Sequence, residues 1–237
     1  LKGGTSVEKS AKEILAEAVK RGQKNLSEHQ SKLFLEAYGI PVTREELAPT
    51  PDDAVKIAQK IGYPVVLKGE SPELTHKTEM NVIELNLADE RQVRAAYERI
   101  MGTGVVPKGG ILVQEMIKGQ RELVVGLSRD PQFGPCVMFG LGGIYTELLR
   151  DVSFRVAPLT EYDALQMMDE IRAKKILDEF RGKPAVDRKL LAKMLIAVGQ
   201  IGLDYEQVSE LDINPLIISG NRPVAVDALV ILGNGKK

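Results

Sequence analysis

The sequence predicts an α/β protein built as two lobes. Short β-branched and apolar runs alternate with segments of helical period, glycine and proline breaks separate them, and one break, GTGVVPKGG at 102–110, falls near the middle of the chain. The 237 residues suffice for two lobes of about 100–150 residues, each able to bury a core. We therefore expect a helical extension or linker over 1–26, a small lobe over 27–110 and a large lobe over 111–237. Hydrophobic residues at 43% and charged residues at 27% give the balance of a folded, water-facing protein and exclude a disordered one.

Taken in order, 7–21 places Ile14, Leu15, Ala18 and Val19 at helical spacing and stops at Gly22, which predicts a short, charged, peripheral helix. Ser27 with Gln30 makes a capping-box start for a second helix, whose Leu33, Phe34, Ala37 and Tyr38 share one face before Gly39. His29, on its first turn, reads as a solvated surface histidine. IPVT at 40–43 predicts a brief strand. Thr50-Pro51-Asp52-Asp53 opens a helix with Ala54, Ile57, Ala58 and Ile61 inward. A strand, a polar loop and a strand fill 64–87, and a helix from Asp89 to Met101 turns Val93, Ala96, Tyr97 and Ile100 inward.

In the second half, extended runs at 111–117 and 122–127 flank Lys118-Gly119-Gln120 and predict a hairpin. Strands are expected around Val137, Met138 and Phe139 and at 154–159. Helices follow at 161–170, 173–180 and 187–201, the last well marked by Leu190, Leu191, Met194, Leu195, Val198 and Ile201. The end, VSELDINPLIISGNRPVAVDALVIL, predicts two strands about Gly220-Asn221.

Charge and cysteine usage narrow the partners. A formal net charge of −1 supplies no basic field for nucleic acid or anionic lipid, so neither is an expected partner. No run of about 18 apolar residues occurs, and LKGGTSVEKS lacks the apolar centre of a signal peptide. The single Cys136, expected as a small buried side chain, fits a reducing compartment, and the expected location is cytoplasmic. The start at Leu1 and the linker-like Lys2-Gly3-Gly4-Thr5 suggest a piece of a longer polypeptide.

The chemistry concentrates in two stretches. Val65, Val66 and Leu67 deliver Lys68 to a strand end beside a polar loop that carries His76, one of only two histidines. That pairing suits phosphoryl transfer through His76, although a surface lysine and an idle loop histidine fit the same pattern. In Glu210-Leu211-Asp212-Ile213-Asn214 alternate polar residues share a strand face, and Asp227 is an acid within the apolar VAVDALV. Two such acids are costly to bury unpaired, and a divalent cation with hard oxygen ligands resolves the cost. A pair of structural acids near an arginine accounts for the pattern equally well.

PVVLK, SPELTHKT, VQEMIKGQRELVVG, FGLGGIYTELLRDVSFRVAPL and ELDINPL, in this order, resemble the nucleotide-binding β subunit, or fused β domain, of NDP-forming acyl-CoA synthetases. ADP-forming acetyl-CoA synthetase is typical of them. The resemblance spans 27–232 and implies an ATP-grasp fold, two α/β lobes with the nucleotide between them. It implies interconversion of acyl-CoA, ADP and phosphate with acid, CoA and ATP through phosphohistidine. Mg²⁺ as cofactor, ATP or ADP as substrate and a CoA-binding α subunit or fused domain as partner follow, with a hetero-oligomer as the expected assembly.

By the same resemblance Lys68 contacts nucleotide phosphates, Glu115, Met116 and Ile117 form the hinge that reads adenine, and Glu122 reaches the ribose. Asp212, Asn214 and Asp227 match the magnesium positions, and His76 matches the mobile phosphohistidine. The glycine run at 140–143 and Glu147 resemble a loop near the transfer site, though a plain turn explains the glycines as well. One departure stands out. Where the family has Asp, a variable residue and Gly-Gly after His-Lys-Ser/Thr, this chain has Glu79, Met80, Asn81 and Val82, which should stiffen the loop. Two other activities stay open: a non-catalytic ATP- or acyl-CoA-sensing regulatory domain, and an ATP-grasp carboxylate–amine ligase.

Overall fold

The computed structural model describes residues 4–74, 80–107, 110–143 and 151–233, with side chains from Ala11 onward. The chain divides into two compact units, one of Leu1–Leu26, Gln30–Val42 and Lys118–Lys237, the other of Ser27–His29 and Thr43–Ile117. Two helices open it, α1 (Gly4–Lys20) and α2 (Glu28–Glu36). The smaller unit then runs β1 (Glu45–Ala48), α3 (Pro51–Ile61), β2 (Val65–Gly69), β3 (Ile83–Leu87), α4 (Glu90–Gly102) and β4 (Ile111–Glu115). Its four strands form an antiparallel sheet in the order β1-β4-β2-β3.

Local chemistry sets these helices. Thr50 caps α3 by accepting the Asp53 amide at 3.1 Å, and Asp89 caps α4 by accepting the Gln92 amide at 2.8 Å. The inward residues expected for both helices are buried, and they pack with Val65, Leu67, Ile111 and Val113 of the sheet into one core. Each large aliphatic side chain so buried contributes about 1.5–3 kcal/mol. The strand expected at 40–43 falls instead at Glu45–Ala48, because that segment pairs with Ile111–Gln114 of β4, while Val42 makes only an isolated bridge to Ala225. Backbone pairing there outweighs the poor strand propensity of EELA.

The larger unit continues with β5 (Glu122–Asp130), β6 (Gly134–Leu141), β7 (Val152–Val156), α5 (Glu161–Glu170), α6 (Arg188–Asp204), β8 (Val208–Ser219), β9 (Arg222–Ala225) and β10 (Leu229–Leu232). Its sheet runs β10-β8-β5-β6-β7, with β9 paired to β8. The expected hairpin across Lys118-Gly119-Gln120 is therefore not formed: β4 lies between β1 and β2 of one sheet, and β5 between β8 and β6 of the other. The chain's end carries three strands where two were expected, since a bend at Val226-Asp227-Ala228 separates β9 from β10.

One face of the larger sheet is covered. Val125, Leu127, Val137, Phe139, Leu211 and Ile213 pack there with Met167 and Met168 of α5 and Leu191, Leu195 and Val198 of α6. The opening helix is less peripheral than expected, for Ala11, Leu15 and Ala18 of α1 are buried in this core. The helix expected at 173–180 is only a 3₁₀ turn, Lys174–Leu177. The Asp151 carboxylate takes the Arg172 and Ala173 amides at 2.7 Å each, and buried Arg121 donates to the carbonyls of Ile176, Asp178, Pro184 and Gly220. Those bonds hold the segment in irregular form. Among the described residues no helix is long and apolar enough to cross a membrane.

Candidate active site

In the smaller unit, β2 is buried along its whole length and still carries a cation. The Lys68 side chain is 6% exposed and its ammonium meets the Glu28 carboxylate, 2% exposed, at 2.6 Å. A surface lysine is thereby excluded. Two residues on, buried Glu70 accepts the His29 amide at 2.8 Å. The end of β2 is thus fastened twice to the first turn of α2. His29 is not the solvated residue expected: its ring is 20% exposed, and Nδ1 lies 3.0 Å from Glu45 Oε1. The other oxygen of Glu45 accepts the Thr43 hydroxyl at 3.1 Å.

Glu115 closes β4 and is held as firmly. One carboxylate oxygen accepts Arg44 Nε at 2.9 Å and lies 2.8 Å from Nη2, and the other accepts the Arg44 amide at 2.8 Å. Met116 donates its amide to Pro64 at 3.3 Å, and Met116 and Ile117 are half-buried. His76 and Glu147 lie outside the described residues. Both ends of the His76 segment are described. Leu74 is buried, and the Gly69 amide donates to the Val82 carbonyl at 2.7 Å. Asn81 has φ 55, the left-handed region that asparagine enters at less cost than most residues. The first of the two missing glycines is thus replaced by a residue that reaches a glycine-like conformation.

The larger unit holds the acids. Asp212 sits in β8 opposite Gly126 of β5 and Leu229 of β10. It lines a cavity of about 310 Å³ on the sheet face opposite this unit's core, with Gly126, Met138, Phe154, Leu229 and Ile231. Solvent reaches one side of Asp212, yet its surroundings are dense. Burial first, and the charge of Asp227 second, push its carboxyl up to about 6. Asp227 is not within a strand, as the sequence suggested, but on the bend, where Oδ1 accepts the Ala228 amide at 2.8 Å. Half-buried Asn214 lies where β8 carries one residue more than β5 between Ile213 and Leu216, so a bulge interrupts the pairing there. Among the described residues no three His, Cys, Asp or Glu side chains converge into a metal cage.

Glu122 opens β5 and is half-buried. The Gly142 amide donates to its carbonyl at 2.9 Å, and a Cβ on Gly143, φ 66, would stand 2.6 Å from its Oε2. The glycine run is therefore more than a plain turn: it lets the backbone lie against Glu122. Cys136 is half-buried rather than buried, and burial pushes its thiol up. The structure thus holds Asp212 and Asp227 in one unit, where Glu122 also lies against Gly143, and keeps Lys68 and Glu115–Ile117 in the other. Sequence reasoning missed Glu28. The visible signal was an acid on the first turn of a helix whose partner lay 40 residues away.

Comparison with known proteins gives a consistent result. The ATP-grasp domain profile matches residues 17–232. The chain is 42% identical to the β subunit of acetate–CoA ligase (ADP-forming) I of Pyrococcus furiosus, over 94% of this chain and 97% of that one. It is 43% identical to acetate–CoA ligase (ADP-forming) I of Archaeoglobus fulgidus, over 84% of this chain and only 30% of that longer protein. Among solved structures, acetyl-coenzyme A synthetase 1 of Ca. Korarchaeum cryptofilum superposes with a TM-score of 0.86 at 46% identity, covering 94% of this chain and 100% of that chain. That structure holds coenzyme A and Mg-AMPPCP, with its phosphohistidine segment pointing towards the nucleotide binding site.

Proposed function

Because the chain belongs to the ATP-grasp domain family and matches a β subunit of ADP-forming acetate–CoA ligase over nearly its full length, we propose that it handles the nucleotide in an ADP-forming acyl-CoA synthetase. The overall reaction is acyl-CoA, ADP and phosphate to acid, CoA and ATP. The observation that carries the reading is Asp212 at the cavity, an acid whose carboxyl is pushed up by burial first and by the charge of Asp227 second. Such a pair is stabilised by a divalent cation, and Asp212, Asn214 and Asp227 would hold Mg²⁺ with oxygen donors only. Bound there, Mg²⁺ would neutralise phosphate charge as the phosphoryl group moves.

The residues divide the remaining work. Lys68 supplies a compact positive charge to the phosphates. Main-chain groups of Glu115, Met116 and Ile117 bound the adenine, and Glu122 accepts from the ribose hydroxyls. His76 carries the phosphoryl group: a terminal oxygen of ADP attacks phosphorus, the P–N bond breaks and the imidazole leaves. A CoA-binding α subunit or fused domain supplies that phosphoryl group, in keeping with relatives in which this chain spans 30% of a longer protein.

The test is reconstitution. With a CoA-binding partner subunit, acetyl-CoA, ADP, phosphate and Mg²⁺, the chain should form ATP, and a chelator should stop it. Joining of a carboxylate to an amine by the chain alone would instead establish the ligase activity. Glu122 offers a finer check. Gly143→Ala should lower ADP affinity about three- to tenfold by displacing the carboxylate. Gly134→Ala carries the same φ strain (φ 80) with no neighbour within 4 Å, and should leave ADP affinity unchanged in calorimetry.

A further inference from the structure

We propose that the CoA-binding partner docks on the larger sheet, on the face opposite that unit's core, through a lysine or arginine that meets Glu210 between apolar flanks. The proposal rests on the reading that such a partner supplies the phosphoryl group. Strand register builds the surface. Val156 of β7, Cys136 of β6, Ser128 of β5, Glu210 of β8 and Ile231 of β10 are successive Cα partners, so their side chains stand in one row across the sheet. The next row runs beside it from Phe154 to Leu229 and contains Gly126 and Asp212. Five strands make each row about 19 Å wide.

Side-chain size shapes that face. Phe154 and Val156 are 51% and 45% exposed towards one edge, and Leu229 and Ile231 are half-buried towards the other. Between them the small Gly126 and Ser128 leave a trough along β5, the cavity of about 310 Å³. A Cβ on Gly126 would stand 3.2 Å from Met138 Cε, so even one methyl group would narrow it. Glycine in mid-strand weakens a sheet and suits a place where another surface comes close. Charge then selects the occupant. Glu210 is exposed, no described residue pairs with its carboxylate, and the described lining of the cavity holds no lysine or arginine. A second copy packed by the same face would set carboxylate against carboxylate, and an anionic surface is repelled likewise. A basic side chain, whose stem is apolar and whose tip is charged, complements both parts of the trough. Position points to the partner that supplies the phosphoryl group. Glu210 stands about 7 Å along β8 from Asp212, so whatever docks on its row adjoins the acids proposed to hold Mg²⁺.

The test is calorimetric titration of the full chain with the CoA-binding partner subunit, for the unaltered chain, Glu210→Gln, Val156→Lys and Leu85→Lys. Leu85 is 55% exposed on β3, the last strand of its sheet as β7 is of the other, so the same lysine there controls for added charge. Exposed edge strands tolerate lysine, and Mg-ADP affinity reads whether each variant is folded. Glu210→Gln and Val156→Lys should each weaken partner binding about tenfold or more, with Mg-ADP affinity held within about twofold and Leu85→Lys unchanged in both. Raising salt from about 0.05 to 0.5 M should weaken the unaltered complex more than that of Glu210→Gln. Partner affinity kept in either Glu210→Gln or Val156→Lys would overturn the proposal, as would an equal loss in Leu85→Lys. Self-association of the chain that Val156→Lys abolishes, with partner binding intact, would give the face to a second copy instead. An unaltered chain that binds Mg-ADP but no CoA-binding partner would remove the reading beneath the proposal.

Discussion

Asp212→Asn should raise the stability of the nucleotide-free chain and at the same time weaken its hold on Mg-ADP. The sign follows from linkage. The folded carboxyl titrates at about 6, against 3.8 for the unperturbed group, so the folded chain binds that proton more tightly than the unfolded one. Stability contributed by the neutral form is fully present below about pH 4 and is lost as pH rises towards 6. Above that the cost of burying the charge, and with it the repulsion from Asp227, stands in full. A shift of this size in a wholly buried group would be worth about 3 kcal/mol, but solvent reaches Asp212, which discounts it to about 1 kcal/mol. Asparagine should therefore raise the melting temperature by about 2–4 °C at pH 7.5 in a chelator, and by nothing at pH 4.

Mg-ADP affinity should meanwhile fall at least about tenfold in Asp212→Asn and in Asp227→Asn, measured by calorimetry. A residue kept for stability would show the reverse order: a less stable variant with affinity intact.

His76→Ala should abolish ATP formation, by at least about 10³-fold in rate, with ADP affinity held within about twofold. Imidazole is nucleophilic near neutral pH, and alanine offers no atom to carry the phosphoryl group. The effect on folding should be small, because the segment's ends are anchored independently of it, by buried Leu74 and by the Gly69 to Val82 hydrogen bond. Loss of ADP affinity with loss of rate would instead assign His76 to nucleotide binding.

Much of the fold was legible because helix signals are local. Thr50 and Asp89 announce α3 and α4, and the period of Leu191, Leu195 and Val198 announces α6. Strand partnership was not legible, since it is fixed by residues far apart. Nothing within 111–127 tells that Ile111–Glu115 pairs with β1 and β2 while Glu122–Asp130 pairs with β6 and β8. The site shows the same division. Asp212 and Asp227 were marked by being acids in apolar runs, and the structure makes them neighbours in charge. Glu28 and Lys68 lie 40 residues apart and meet only when β2 reaches the first turn of α2. His29 misled for the same reason: its partner Glu45 stands on another element. Asn81 shows that a missing glycine need not mean a missing conformation.

Phosphoryl groups should pass between nucleotide and His76. The direct measurement is incubation of the chain with Mg²⁺ and γ-labelled ATP, alone and with its CoA-binding partner, with His76→Ala as control. Acid-labile, base-stable label should appear on His76 and none on the variant. Bound nucleotide with no label on His76, even with the partner present, would contradict it and leave a chain that senses ATP without transferring its phosphate.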